Sequence, residues 1–239
     1  EEFDNLPVLN IKKPRVGLVG EILVKFHPTA NNNIVDVLEE EGAEAVMPEF
    51  INFFTAWSVN TIYKAKFLEG SKKSSILARL FLMFANFYQR TYIKSLKNSK
   101  RFSAPTDIRS IAKNADKVVS IGNQTGEGWL LTGEMIELIE DGVENIICMQ
   151  PFGCLPNHIV GKGSIKELKR IYKNANIIPI DYDPSASEVN QINRIKLMLS
   201  KAFRNISDDI DYEGSHKYKY KSKETKIKED NKEECLAKY

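Results

Sequence analysis

An alternation of short apolar runs with helix-forming segments constrains this chain most strongly. The apolar run at 15–19 predicts a buried strand. The asparagines at 31–33 can cap a following helix that Gly42 ends, and 43–47 predicts a second short strand. Strand–helix–strand units build parallel sheets, because two parallel neighbours need a crossover between them. The first fifty residues therefore predict an α/β fold.

The second half of the chain resumes this alternation. Short apolar runs that follow turn residues predict two more strands, at 145–149 and 177–181. Amphipathic patterns predict helices at 130–140, 164–173 and 187–203. We therefore predict a parallel sheet with helices on both faces.

Two long helical patterns interrupt the alternation, at 49–68 and 72–97. Together they predict a helical insertion at about 49–100. The second pattern carries apolar side chains at roughly helical spacing, and we interpret this stripe as core packing. Its members are Ile76, Leu77, Leu80, Phe84, Phe87, Tyr88 and Leu96.

Composition divides the chain into three parts. Residues 1–13 form a leader or linker, and 14–206 form the α/β domain. Residues 207–239 mix lysine and glutamate with almost no aliphatic side chains, so they cannot bury enough surface to order themselves. We expect a charged flexible tail there.

Charge and cysteine content exclude several classes of protein. The net charge is +2 without a clustered basic face, which argues against a nucleic-acid partner. The longest apolar stretch, 80–88, falls short of the about 20 residues that span a bilayer. Three cysteines and no secretory leader argue against a disulfide framework, so we expect a cytoplasmic protein without a membrane partner.

The carboxyl ends of the predicted strands are the expected place for chemistry, since reactive loops of open parallel sheets lie there. Glu21 follows the first strand, and the loop QPFGCLPNH follows the strand at 145–149. Two prolines and Gly153 place Cys154 on a constrained loop. A separate G-x-G at 126–128 precedes a helix, but it lacks the remaining features of a dinucleotide fingerprint.

Three interpretations of Cys154 stay open from the residues alone. It can be a buried structural thiol, a ligand of iron or zinc, or a nucleophile assisted by His158. Cys148 lies in the predicted strand at 145–149 and is separated from Cys154 by five residues, a spacing that fits neither zinc nor ferredoxin patterns. Cys148 is therefore a weak candidate ligand and more typical of a small core residue.

Several segments resemble one known family. The segment RVGLVGEILVKFHPTANNNIVDVLEEEGAE is similar to the start of a domain in large proteins related to acyl-CoA dehydratase activases of anaerobic bacteria. The stretch from GEGWLLTGEM through QPFGCLPNHIVGKG to NRIKLML resembles the end of that domain closely. The resemblance covers most of residues 14–205, whereas the helical insertion matches only in broad pattern.

The resemblance implies a 2-hydroxyacyl-CoA dehydratase-like iron–sulfur domain. In that family, α/β domains surround a [4Fe–4S] cluster held by three cysteines, and an ATP-driven activase supplies one electron for radical dehydration of an acyl-CoA. Cys154 stands where the last cysteine ligand belongs. The chain has no ATP-binding module and no further pair of cluster cysteines. We therefore expect a fragment, inactive alone, whose partners are upstream activase-like or dehydratase-like regions of the same parent protein and an acyl-CoA.

Loop position and resemblance together predict a set of residues that shape the cluster or substrate cavity. They are Glu21, Asn31, Asn32, Asn33, Glu127, Trp129, Asn157 and His158. Two alternatives have no metal. The domain can be a non-catalytic module that holds a partner subunit, or an enzyme that uses Cys154 as its nucleophile.

Overall fold

The computed structural model describes residues 2–8, 11–183 and 185–212, with side chains described through 206. Within these ranges the chain forms four strands and nine helices. The strands are β1 Arg15–Gly20, β2 Glu44–Val46, β3 Asn145–Pro151 and β4 Asn176–Tyr182. The helices are α1 Glu2–Asn5, α2 Ile22–Phe26, α3 Ile34–Glu40, α4 Ile51–Phe67, α5 Lys72–Lys97, α6 Ile108–Ala115, α7 Trp129–Glu140, α8 Gly163–Ile171 and α9 Glu188–Tyr212.

All four strands are parallel, in the order β2-β1-β3-β4. Helices cover both faces of this sheet, so the predicted α/β fold is confirmed. One face packs on α3 and α9 through a cluster that includes Leu18, Leu38 and Leu199. The opposite face packs on α7 and α8 through a cluster that includes Val19, Met135 and Leu168. Successive residues of β1 thus point to opposite cores, as the pleat of a strand requires.

A third apolar cluster joins α4, α5 and α6 to the start of α7. It centres on Trp129, whose ring is completely buried. The helices α4 and α5 form the predicted insertion between β2 and β3. The part of the chain before β1 touches the segment after α5, where Arg101 donates a hydrogen bond to the carbonyl of Phe3 at 2.7 Å.

The aromatic stripe of α5 does not pack into the core, so that prediction was wrong. Six of its seven residues are 51–71% exposed, and only Leu96 is half-buried. The buried face of α5 lies beside the stripe and carries mostly small side chains, namely Ser75, Ala78, Leu82 and Ala85. Small residues let α4 and α5 approach closely, which leaves the large side chains outside the contact.

Helix α9 continues through 212, so the first residues of the predicted tail are helical. The rest of that tail, 213–239, lies outside the described residues. Among the helices that the structure describes, none has the length and apolarity needed to cross a membrane.

Candidate functional site at the carboxyl edge of the sheet

The strand order places a topological switch point between β1 and β3. The crossover from β1 leads to β2 on one side, whereas the chain then returns to β3 on the other side of β1. Loops that leave neighbouring strands in opposite directions open a crevice, where ligands of open α/β sheets bind. The segments that follow β1, β3 and β4 meet at this edge.

At the end of β1 the backbone runs directly against β3. A Cβ on Gly20 would lie 2.0 Å from the carbonyl oxygen of Met149, so this approach requires glycine. The N–H of Glu21 donates to the same carbonyl at 3.1 Å. The carboxylate of Glu21 caps α2 by accepting from the N–H of Val24 at 2.9 Å. One Glu21 oxygen thereby holds the start of α2 at the crevice.

Glu127 connects three segments at the same place. Its carboxylate accepts from the N–H of Ile22 at 3.1 Å. The side chain of Asn157, with its amide oriented to satisfy both ends, donates to Glu127 and accepts from the Glu21 N–H, each at 3.3 Å. Three predicted site residues, Glu21, Glu127 and Asn157, are thus brought together by hydrogen bonds.

Cys154 ends the tight turn that follows β3. Gly153 adopts a φ of 74°, which the missing Cβ permits. The N–H of Cys154 donates to the carbonyl of Pro151 at 3.2 Å, and the Cys154 carbonyl accepts from the N–H of His158 at 3.0 Å. Cys154 therefore immediately precedes a helical segment at the crevice, and it is half-buried.

That helical segment contains a π-helical turn at Asn157–Lys162, which leads into α8. Such turns are rare and occur often at functional sites. A Cβ on Gly161 would lie 3.2 Å from the Sγ of Cys148, so the glycine lets the turn pack on β3. We did not predict the π turn.

A polar group lies between the ends of β3 and β4. The amide of Gln150, which is completely buried, donates to Asp181 at 2.5 Å, and its Oε1 bonds to no described residue. His158 Nε2 lies 3.2 Å from the backbone nitrogen of Gly153, which donates to it, and His158 Nδ1 lies 3.4 Å from Nε2 of Gln150. Lys162 lies 3.6 Å from Asp181.

Sequence reasoning identified His158 in this group and missed Gln150, Lys162 and Asp181. A lone polar residue at the carboxyl end of an apolar strand was the available signal for Gln150. The completed arrangement places an imidazole, a carboxylate and an ammonium group beside the Cys154 loop.

The asparagine run and Trp129 have structural contacts. The buried amide of Asn31 donates to the carbonyl of Val24 at 2.8 Å, and its oxygen accepts from the N–H of Ile34 at 3.2 Å. Asn32 and Asn33 both adopt left-handed backbone conformations, and Asn32 donates to Gln191 at 2.9 Å. The indole N–H of Trp129 donates to Asn60 at 2.6 Å. The contacts of Asn31 and Trp129 hold helices in place, away from solvent.

A buried ion pair joins α2, the helix that begins at the crevice, to α7. Lys25 on α2 lies 2.9 Å from a carboxylate oxygen of Glu134 on α7, and neither side chain is more than 6% exposed. Burial raises the pKa of Glu134, and the nearby ammonium group of Lys25 opposes that rise.

The side chains at the crevice can supply one ligand of an iron–sulfur cluster but not the complete set of ligands. Burial raises the pKa of Cys148 to about 12, and its thiol lies in the core between β3 and the π turn. Of the two cysteines in the described ranges, Cys154 alone reaches the crevice. Within those ranges no group of three or more His, Cys, Asp or Glu side chains could hold a metal ion.

Comparison with known proteins adds nothing to the geometry as a guide to function. No family model, no curated protein and no solved structure matches this chain.

Proposed function

We propose that this chain is the cluster-side domain of an ATP-driven, low-potential electron-transfer or dehydratase-like system. Cys154 supplies one thiolate to a [4Fe–4S] cluster, whose remaining ligands come from upstream regions of a longer parent protein. In such a protein the cluster supplies one-electron transfer, and an acyl-CoA is the substrate class. The fragment alone is inactive, and we place the parent in the cytoplasm, where thiols stay reduced.

The position of Cys154 carries this proposal. A half-buried thiol lies on the turn after β3, beside the switch point at which α/β sheets bind ligands. Thiolates are the preferred ligands of iron–sulfur clusters. The resemblance of QPFGCLPNH to the cysteine segment of the dehydratase-related family supports the same role.

The residues around Cys154 suit a thiolate that ligates iron at an interface between two domains. Hydrogen bonds from Gly153 and Asn157 hold the backbone on both sides of Cys154. Rigid support of this kind lets a domain present one thiolate to ligands that a second domain supplies.

Iron content of the anaerobically purified parent tests the proposal. Cys154→Ser should lower the iron per chain and remove the electron paramagnetic resonance signal of the reduced sample. Cys148→Ala is the matched control, because it removes a core thiol and should leave iron unchanged. Unchanged iron and visible absorption in Cys154→Ser would show that Cys154 is not a ligand. Loss of activity on alkylation of an iron-free protein would favour the nucleophile instead.

A second candidate function is a module that holds a partner subunit without metal. The exposed apolar stripe of α5 favours it, because monomeric proteins rarely leave such a contiguous patch in water. Titration calorimetry with the separately expressed upstream region tests this function. Phe84→Ser/Phe87→Ser should weaken the binding at least about tenfold if the stripe is the interface. Equal affinity of the variant and the natural chain would reject this candidate.

A further inference from the structure

The α4–α5 hairpin, residues 51–97, carries a charge opposite to that of the rest of the chain. It contains eight lysines and arginines and one acidic residue, Glu69, so its net charge is +7. The whole chain carries +2, so the residues outside the hairpin together carry −5. All eight basic side chains are exposed, namely Lys64, Lys66, Lys72, Lys73, Arg79, Arg90, Lys94 and Lys97. The small net charge of the whole chain therefore conceals one basic surface.

An exposed row of large apolar side chains runs along α5. Its members follow one another at spacings of three or four residues, which places them on one side of the helix. They are Ile76, Leu80, Phe84 and Phe87, and each is 51–70% exposed. The described part of the chain thus leaves this row open to water, although large contiguous apolar patches usually mark a binding surface.

Basic residues border one edge of this row. Lys72, Arg79, Arg90 and Lys97 are separated by 7, 11 and 7 residues, which is about two, three and two helical turns. These four residues therefore lie on one line along α5, between the apolar row and the buried face of the helix. Lysine and arginine beside a row of aliphatic and aromatic residues are typical of helices that lie in the plane of a membrane surface.

Helix α4 extends the apolar surface beyond the other edge of the row. Trp57 on α4 lines one cavity together with Leu77 and Phe81 on α5, so these side chains lie on the same side of the hairpin. They are 72%, 69% and 42% exposed. Tryptophan is enriched where membranes meet water, because its ring is apolar and its N–H is polar. The hairpin thus combines an apolar face, an exposed tryptophan and a basic edge.

We propose that the α4–α5 hairpin binds the surface of a membrane that contains anionic lipids. Helix α5 lies in the plane of that surface, with Phe84 and Phe87 among the acyl chains and Arg79 and Arg90 at the headgroup phosphates. The hairpin is complementary in charge to such a surface, and each lysine or arginine near it strengthens the binding. The expectation of no membrane partner rests on the length of the apolar stretches, and a helix in the surface plane needs no spanning segment.

Composition favours a lipid surface over the other partners of an exposed apolar helix. Interfaces between proteins are depleted in lysine, whereas six of the eight basic residues of the hairpin are lysines. Nucleic acids bind through their phosphates and through bases stacked on aromatic rings, so aliphatic side chains such as Ile76 and Leu80 would remain in water. In a membrane, acyl chains cover the whole row while the headgroup phosphates pair with the basic edge.

Membrane binding goes beyond the proposed function and does not rest on iron at Cys154. The hairpin follows β2, the edge strand of the sheet, whereas Cys154 follows β3. Loss of iron in a Cys154 variant and loss of membrane binding in a hairpin variant are therefore separate outcomes. The second candidate function uses the same row of α5, so a partner subunit and a membrane are alternatives for this surface.

Sedimentation of the full chain, residues 1–239, with lipid vesicles tests the proposal. One preparation contains phosphatidylcholine alone, and the other contains phosphatidylcholine and phosphatidylglycerol in equal parts. We expect binding to the second preparation, little binding to the first, and weaker binding at high salt. Emission of Trp57 should shift to shorter wavelengths on binding because its ring leaves water, whereas Trp129 is already completely buried.

A first pair of variants tests the basic edge. Arg79→Gln/Arg90→Gln removes two charges beside the row and should weaken binding to the anionic vesicles about thirtyfold. Lys113→Gln/Lys166→Gln removes two exposed charges outside the hairpin, so it is the matched control and should bind like the natural chain.

A second pair tests the apolar row. Phe84→Ser/Phe87→Ser should weaken binding to the anionic vesicles at least about tenfold, because two large side chains no longer enter the acyl region. Val189→Ser/Leu197→Ser changes apolar residues of α9 that are 64% and 75% exposed, and it should bind like the natural chain.

Four results would overturn the proposal. The first is a lack of binding to the anionic vesicles, and the second is unchanged binding by Phe84→Ser/Phe87→Ser. The third is tighter binding to a single-stranded oligonucleotide than to the vesicles, which would assign the basic edge to nucleic acid. The fourth is a dimer of the chain, seen without vesicles and lost in Phe84→Ser/Phe87→Ser, which would assign the row to an interface between copies.

Discussion

The sheet and the α4–α5 hairpin use similar apolar side chains in opposite ways. In β1 and β3, Val16, Val19, Ile146 and Ile147 are completely buried, because helices cover both faces of the sheet. In α5, large aromatic residues such as Phe87 remain mostly exposed, because among the described residues only the face with Ser75, Ala78, Leu82 and Ala85 is buried. An apolar pattern thus predicts which element forms but not how many of its faces are covered.

Substitutions in the two regions should therefore have different effects, on folding in the sheet and on binding in the hairpin. The two clusters on the faces of the sheet contain most of the buried apolar residues of the three clusters, so changes there should affect folding. The hairpin carries large apolar side chains that are already exposed, so changes there should affect partners more than folding. Three substitution experiments test this division, from the largest expected effect to the smallest.

The largest effect is expected at the buried pair of Lys25 and Glu134. Lys25→Met or Glu134→Leu alone should lower the free energy of unfolding by about 3–5 kcal/mol, because each leaves a buried charge unpaired. The double variant should recover most of this loss, since it buries no charge. Urea unfolding of the three variants measures these differences.

Lys94→Met on the exposed surface of α5 is the control for this experiment, and its effect should be below about 0.5 kcal/mol. If the free energy of unfolding of the double variant falls by the sum of the two single losses, Lys25 and Glu134 are not coupled.

The second comparison truncates one apolar side chain in each region. Ile147→Ala, in the centre of the sheet, should cost about 2–5 kcal/mol because it opens a cavity between two covered faces. Phe87→Ala removes a larger side chain that is 70% exposed, and it should cost less than about 0.5 kcal/mol. Chemical denaturation of both variants measures the two losses in free energy of unfolding. Similar losses would mean that the hairpin face is covered in the folded protein.

The sheet could be predicted from the sequence because its signals are local. Runs of β-branched residues such as Ile146–Ile147, followed by helical patterns, specify strands and crossovers within a few residues. The exposure of the α5 stripe could not be predicted. It depends on which face α4 covers, and that choice follows from the small residues of the tertiary contact.

The candidate site could likewise be predicted only in part from the sequence. Glu21 and Asn157 could be placed together because both follow the carboxyl ends of neighbouring strands. The bond of Glu127 to Ile22 spans 105 residues, and no local pattern specifies such a partner. The pairing of Gln150 with Asp181 likewise depends on the register of β3 against β4.

The smallest effect is expected on α7, the helix that packs on both the sheet and the hairpin cluster. Burial raises the pKa of Glu137 from 4.5 to about 7, and a hydrogen bond from Thr106 opposes this rise. The folded state therefore binds a proton that the unfolded chain releases between these two pH values. Stability from this group is fully present below pH 4.5 and is lost as the pH rises through about 7.

Glu137→Gln should remove this dependence on pH. At pH 8 the variant should be more stable than the natural chain by about 1–3 kcal/mol, and near pH 4 the two should be equal. Glu39→Gln, exposed on α3, is the control and should follow the natural chain throughout. Urea unfolding at several pH values measures the difference. A constant gap between Glu137→Gln and the natural chain would mean that Glu137 titrates in the fold as it does in the unfolded chain, and α7 would then be more open to water than the sheet it covers.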